Sequence, residues 1–190
     1  MIEQHKKIII IGGGILGLSI ARQLMIRGYK NLTILEKNES IALHQSSRNS
    51  GVIHAGFYYS PDSKKGLFCA EANRLLRKYC LDNNIETRKS GKVVVCEDEE
   101  QVEILKNLYK RGVLNNSNIS LFNAEKLDNY EPLALTYSKF IWSPNTWSAN
   151  PKELIKSMQK QLNELGVNIV LNKKVVSFDG KNFFDIYKNK

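Results

Sequence analysis

One stretch near the N-terminus constrains this chain more than any other. The β-branched run from Lys7 to Ile11 stops abruptly at Gly12-Gly13-Gly14-Ile15-Leu16-Gly17. A continuous apolar run that ends at glycine reads as a strand buried on both faces of a parallel sheet. From Ile15 to Ile26 the apolar positions Leu16, Ile20, Leu24 and Leu18, Ala21, Met25 recur at helical spacing, and Gly28 follows as a C-terminal stop. Leu32 to Leu35 is a second short strand that ends at Glu36. Strand, glycine turn, helix and strand in that order predict a βαβ unit.

The turn satisfies G-x-G-x-x-G. In that pattern Gly12 makes the tight turn, Gly14 lets backbone approach a pyrophosphate, and Gly17 lets helix and strand pack closely. The pyrophosphate would sit at the helix N-terminus, where N–H groups and the helix dipole favour an anion. Glu36 at the end of the second strand can accept ribose hydroxyls, and its charge would repel a 2′-phosphate. The unit is therefore expected to hold the ADP part of a dinucleotide. The fingerprint alone does not decide between FAD and NAD.

Lys37 to Pro61 is rich in Ser, Asn, Gly and His without helical or alternating pattern, and long irregular segments in compact domains are usually functional. Helices are expected at Ser63 to Asn83, Glu99 to Arg111 and Pro151 to about Leu165, the last closed by Gly166. Strands are expected at Lys92 to Cys96, Ile119 to Phe122, Lys139 to Ser143, Val167 to Leu171 and Val175 to Phe178, with a turn at Asn115 to Asn118.

A net charge of +9 suits anionic ligands or membrane surfaces, but the cations are dispersed and no aromatic-interleaved basic stripe tracks a phosphate backbone, so nucleic acid is not an expected partner. The 3 cysteines lack C-x-x-C spacing, which argues against a disulfide framework or a zinc site and fits a reducing, cytoplasmic setting. No apolar run is long enough to span a membrane. No metal site is expected.

The segment HQSSRNSGVIHAGFYYSP from His44 to Pro61, taken with IIIIGGGILGLSIA and the ILEK ending, resembles the L-2-hydroxyglutarate oxidase or dehydrogenase family. That family lies within the FAD-dependent oxidoreductases related to D-amino-acid, glycine and sarcosine oxidases. Phe68-Cys69, Asn73-Arg74, Ser90-Gly91-Lys92 and Tyr130-Glu131-Pro132 look similar too. At Ala149-Asn150-Pro151 the chain departs from the wider group, which more often has an acidic residue before the proline. No role of that carboxylate carries over.

The resemblance implies an α/β fold: a Rossmann-like FAD-binding domain with an inserted, incomplete α+β substrate domain. Residues 1–82 would be the first FAD segment, 83–148 the substrate-domain segment, and 149–190 a truncated return to the FAD domain. The implied cofactor is FAD, with Gly12, Gly14, Ile15, Leu16, Gly17, Glu36, Lys37, Ser46, Ser47, Asn49, Ser50, Gly51 and Val175 as binding residues. His54 would lie by the isoalloxazine ring and manage the substrate's hydroxyl proton, since an imidazole suits acid-base work near neutral pH. Each serine reads equally well as a turn that bonds its own backbone, and Val175 as an ordinary strand residue. Arg48 suits a carboxylate, a flavin phosphate or solvent, whereas Tyr58 and Tyr59 suit packing and His5 and His44 join no constellation.

The implied reaction oxidises an L-2-hydroxy acid, specifically L-2-hydroxyglutarate to 2-oxoglutarate, with oxygen or a quinone as electron acceptor. A related amine, amino-acid or glycerol 3-phosphate oxidising enzyme, and a fragment without activity, are the alternatives. Family members continue beyond the point where this sequence stops. The chain is thus expected to match an N-terminal half, with exposed apolar faces and sheet edges, and to be a fragment or to need a second chain. Peripheral membrane contact is compatible with the charge.

Overall fold

The isoleucine run forms β1 (Ile8–Ile11) and the periodic stretch after it forms α1 (Ile15–Ile26), in a computed structural model that describes residues 5–180 and the backbone of 183–185. The end of the expected 149–190 segment lies outside the described residues. Between strand and helix the chain turns at Gly12, whose φ of +103° is open to glycine at little steric cost. At the other end of α1, the N–H of Gly28 bonds Met25 O at 3.0 Å and that of Tyr29 bonds Leu24 O at 3.0 Å. These two bonds satisfy carbonyls that a helix end otherwise leaves open. β2 (Leu32–Leu35) then runs parallel to β1, with Ile8 opposite Leu32 and Ile11 opposite Leu35.

The long segment after β2 is mostly turns and contains one short strand, β3 (Val52–Ile53). α2 (Lys64–Asp82) starts at Ser63, whose hydroxyl accepts the Gly66 N–H at 3.0 Å. β4 (Thr87–Arg88) and β5 (Lys92–Val95) lead to α3 (Glu99–Leu114), capped by Asp98 on the Gln101 N–H at 2.9 Å. α3 runs past the expected Arg111 and ends at the predicted asparagine turn, where Asn116 takes a φ of +54°. β6 (Ser120–Asn123), a 3-10 helix at Ala124–Asn129, β7 (Lys139–Ser143) and β8 (Trp147–Ala149) follow. The last described elements are α4 (Pro151–Glu164), β9 (Asn168–Val170), β10 (Val175–Phe178) and β11 (Phe183–Asp185).

These elements group into two compact units, one formed by residues up to Ser50 and from Pro151, the other by Gly51–Asn150. By contact, therefore, α2 belongs with residues 83–148. The first unit holds a parallel sheet in the order β1-β2-β9 and a β10-β11 hairpin. Its core joins Leu18 and Ala21 of α1, Leu32 and Ile34 of β2, and Leu154, Met158 and Leu162 of α4. The second unit holds two antiparallel sheets, β3-β8-β4 and β5-β7-β6. Ala55, Phe57, Cys96, Val102, Leu105, Ile119 and Ile141 form a closed apolar cluster there.

One expectation needs correction. β1 reads in sequence as a strand covered on both faces, yet its residues are only half-buried and Ile11 is 57% exposed. The physical reason is position, since β1 is an edge strand of the sheet among the described residues. The short strands β3, β4 and β8 were not anticipated, because two or three residues carry no readable alternation.

Candidate functional site

The candidate site is a cleft of about 240 Å³ in the first unit, at the end of the parallel strands and beside the start of α1. Gly12, Gly14, Glu36, Lys37, Ser46 and Val175 of the expected binding set line it. Gly17 lies behind the turn in a contact that fixes its identity. A Cβ there would come within 2.0 Å of the Gly12 carbonyl oxygen, a backbone atom that cannot swing aside.

Glu36 is the electrostatic centre of this cleft and is 6% exposed. One carboxylate oxygen accepts the Gly13 N–H at 2.7 Å, and the other accepts the Asn38 N–H at 3.0 Å and the Asn38 side-chain amide at 2.9 Å. These donors offset the cost of burying the charge. A carboxylate offers roughly four acceptor positions. Three are engaged, so the acid keeps room for about one ligand hydroxyl, and for a second when the Asn38 side chain swings away.

The N-terminus of α1 is prepared for an anion. Its N-cap is Gly14, which brings no side chain, and no side-chain cap forms there. Ser46 reaches in from the long segment and accepts the Ile15 N–H at 3.0 Å. It thereby holds that segment against the helix start. A glycine turn, a helix start whose N-cap residue brings no side chain, and a buried carboxylate with acceptor capacity to spare fit the pyrophosphate and ribose of an ADP moiety.

The remaining expected residues are placed differently. Ser47 donates to Ala42 O at 2.6 Å, and Asn49 donates to Gln45 O at 2.9 Å and Ser46 O at 3.1 Å, so both side chains fold back on their own loop. Ser50 is exposed and Leu16 is 77% exposed, while the Ile15 N–H is engaged by the Ser46 hydroxyl. Gly51 and His54 belong to the second unit. His54 is exposed, and its carbonyl is held by the Asn73 side chain at 3.0 Å. Arg48 is exposed in the first unit.

Sequence reasoning missed Gly13 and Asn38, the two partners of Glu36, and His44, whose Nε2 lies 3.0 Å from the Asn38 amide nitrogen. It also missed Lys173 and Lys174 on the cleft wall, brought there because the Lys173 N–H bonds Glu36 O at 2.8 Å. Their only signal is adjacency to the predicted strand at Val175. Among the described residues there is no group of His, Cys, Asp and Glu that would hold a metal ion, and no helix is long and apolar enough to cross a membrane.

The family model described as FAD dependent oxidoreductase matches residues 7–186. The chain belongs to that family. Within it, the chain is 38% identical over 177 residues to a mitochondrial L-2-hydroxyglutarate dehydrogenase of Dictyostelium discoideum, covering 92% of this chain and 40% of the relative. It is 34% identical over 168 residues to L-2-hydroxyglutarate dehydrogenase of Escherichia coli K12, covering 88% of this chain and 40% of the relative. The chain thus spans about two fifths of the length of these relatives and corresponds to their N-terminal part. Among solved structures, L-alpha-glycerophosphate oxidase from Mycoplasma pneumoniae with FAD bound gives a TM-score of 0.83 at 22% identity, covering 100% of this chain and 50% of that one. L-proline dehydrogenase from P. horikoshii gives 0.83 at 21%, covering 98% and 50%. These two likenesses concern the fold, which is that of the FAD-dependent oxidoreductases. FAD is the cofactor of the family, and the cleft around Glu36 has the chemistry to receive its ADP end.

Proposed function

We propose that this chain supplies the ADP-binding part of the flavin site in an oxidoreductase that converts L-2-hydroxyglutarate to 2-oxoglutarate. The observation that carries this reading is the 38% identity to a relative of that name together with a cleft suited to ADP. Bound FAD would supply the acceptor for the hydride on the hydroxyl-bearing carbon. The chain's own residues bind and orient. The Gly12 to Gly17 turn and the start of α1 hold the pyrophosphate, and Glu36 accepts from the ribose. Lys37, Ser46 and Val175 wall the cleft. Ser47, Asn49, Ser50 and Gly51 shape the path of the ribityl chain through their backbone, since the side chains of Ser47 and Asn49 hold the loop itself.

In this reading His54 takes the substrate's hydroxyl proton, a role its exposed side chain leaves open to it. Residues 83–148 form the start of an inserted substrate domain, and segments 1–82 and 149–190 serve the flavin. Oxygen or a quinone receives the electrons, at the membrane surface in the quinone case.

The test is the visible spectrum of the purified chain after incubation with FAD and desalting, followed by anaerobic addition of L-2-hydroxyglutarate. Retained flavin that bleaches with this acid is the expected outcome. Flavin that bleaches only with an amine, an amino acid or glycerol 3-phosphate would sink the substrate while keeping the cofactor. In protein that retains flavin, His54→Ala should slow bleaching without releasing it, and unchanged bleaching would remove His54 from the chemistry.

A further inference from the structure

Glu36 shares its carboxylate with a neighbour that has a second partner of its own. The Asn38 amide nitrogen lies 2.9 Å from Glu36 Oε1 and 3.0 Å from His44 Nε2. An amide nitrogen carries two hydrogens and accepts nothing. The carboxylate fixes which end of the amide faces it, because the amide oxygen in that place would set two acceptors against each other. One hydrogen therefore goes to Glu36 and the other points at His44. His44 Nε2 has to accept it, which makes the ring neutral with its proton on Nδ1.

The Asn38 main chain does not depend on this contact. Its N–H donates to Glu36 Oε1 at 3.0 Å, and its carbonyl accepts the Asn172 N–H at 3.0 Å. The side chain alone is therefore able to turn. A proton on His44 Nε2 converts the acceptor into a donor and sets it against the amide hydrogen. Turning the amide oxygen toward the ring satisfies His44 and takes the amide nitrogen away from Glu36. His44 is exposed and takes protons from solvent, whereas Glu36 is buried. The charges that share the cleft with His44 are Glu36 and Lys37 at the end of β2, and Lys173 and Lys174 between β9 and β10.

We propose that Asn38 and His44 together set how many ribose hydroxyls Glu36 accepts. With a neutral ring, the amide occupies one acceptor position of the carboxylate and leaves room for about one hydroxyl. With a protonated ring, the amide vacates that position and the carboxylate takes both hydroxyls. His44 acts through Asn38 and is a positioning residue. The consequence is a change in specificity. When one position is open, a 3′-hydroxyl fills it and loss of the 2′-hydroxyl costs little; when two are open, a 2′-deoxyribose leaves one unused. The proposal rests on the reading of this cleft as an ADP site, while the contact between amide and ring is testable without any ligand.

Two measurements on the whole chain form the test. In the free chain, NMR of the His44 ring nitrogens should show Nε2 without a proton at about pH 8, and lowering the pH to about 5 should move the Asn38 side-chain amide signals together with the ring. In His44→Ala the amide signals should no longer respond. Calorimetry with ADP and with 2′-deoxy-ADP then reads the ratio of the two affinities, in which the pull of the cleft's lysines on phosphate cancels. The wild-type preference for ADP should rise by ~10-fold between about pH 8 and about pH 5. Asn38→Ala should show the high preference at both pH values, and His44→Ala a preference that does not change with pH. A proton on Nε2 at the higher pH, an Asn38 amide that ignores the ring, or a flat wild-type preference between two nucleotides that do bind would each overturn the proposal alone. Failure of both nucleotides to bind would overturn the ADP reading and the ribose role with it.

Discussion

The two compact units use buried polar groups for different ends. In the first, Glu36 is buried with acceptor capacity left over, and it faces an open cleft. In the second, the buried Asn73 and Asn115 amide nitrogens and the Ser117 hydroxyl donate to main-chain carbonyls, while the Ser143 and Thr146 hydroxyls bond each other. The Asn73 amide, with two hydrogens, reaches three carbonyls, those of Ile53, His54 and Asn145, at 2.9 to 3.1 Å. Asn115 donates to Gly56 O at 3.0 Å and Tyr59 O at 2.8 Å, and Ser117 to Ala55 O at 2.8 Å. A buried carboxylate with unused acceptor positions facing a cleft is a binding device, whereas an amide or hydroxyl whose hydrogens are spent on loop carbonyls is a folding device. The distinction predicts that lesions in the second unit act on stability, and that lesions around Glu36 act on ligand.

The largest effect should come from Phe57→Ala in the second unit. Phe57 is 1% exposed in the apolar cluster, and the substitution should cost about 3–5 kcal/mol of stability, read from urea unfolding followed by circular dichroism. A loss below about 1 kcal/mol would mean that this core is loosely packed.

Gly17→Ala should come next and act in the first unit. Its new methyl would meet the Gly12 oxygen at 2.0 Å, and the overpacking should cost about 3 kcal/mol and abolish flavin retention. A variant that keeps wild-type flavin affinity would break the assignment of this turn to the pyrophosphate.

Asn115→Ala sharpens the contrast. It leaves the Gly56 and Tyr59 carbonyls without their amide partner and should cost about 1–3 kcal/mol, with flavin affinity per folded molecule unchanged. A selective loss of flavin affinity at full stability would blur the division between binding and folding devices.

The smallest effect concerns pH. The Ser60 hydroxyl bonds the Asp62 carboxylate and, with Asp62's own backbone N–H, holds its pKa below the usual value. A carboxyl lowered in the folded state adds stability above its ordinary pKa, and that contribution is lost as pH falls through the lowered one. NMR titration of Asp62 should show the lowered value in the native chain and its return upward in Ser60→Ala. An unmoved titration would show that the hydroxyl is not the cause.

Much of the fold was legible because period and punctuation coincide in this sequence. The apolar repeat of α1, the caps at Ser63 and Asp98, and the proline and glycine around α4 each mark an element whose ends lie close to their expected places. The three-residue β8 carries no such mark, although it joins β3 to β4 in one sheet. At the candidate site, the glycines and Glu36 were readable because a backbone turn and a buried acid demand particular residue types. Asn38, His44, Lys173 and Lys174 were not, since asparagine, histidine and lysine are ordinary surface residues until a fold brings them to one cleft.

The sequence by itself determined the local chemistry: a βαβ start, a turn that only glycines can make, and an acid at the end of the second strand, all set by interactions between near neighbours. Only the tertiary structure decided which groups are left with unused capacity. Ser47 and Ser46 are adjacent and identical in kind, yet one bonds its own loop while the other lines the cleft and accepts from Ile15. Glu36 keeps an acceptor position because of where Gly13 and Asn38 come to rest. Four isoleucines that read as a covered strand lie at the edge of the sheet among the described residues, because coverage depends on which elements pack alongside and not on the residues of the strand itself.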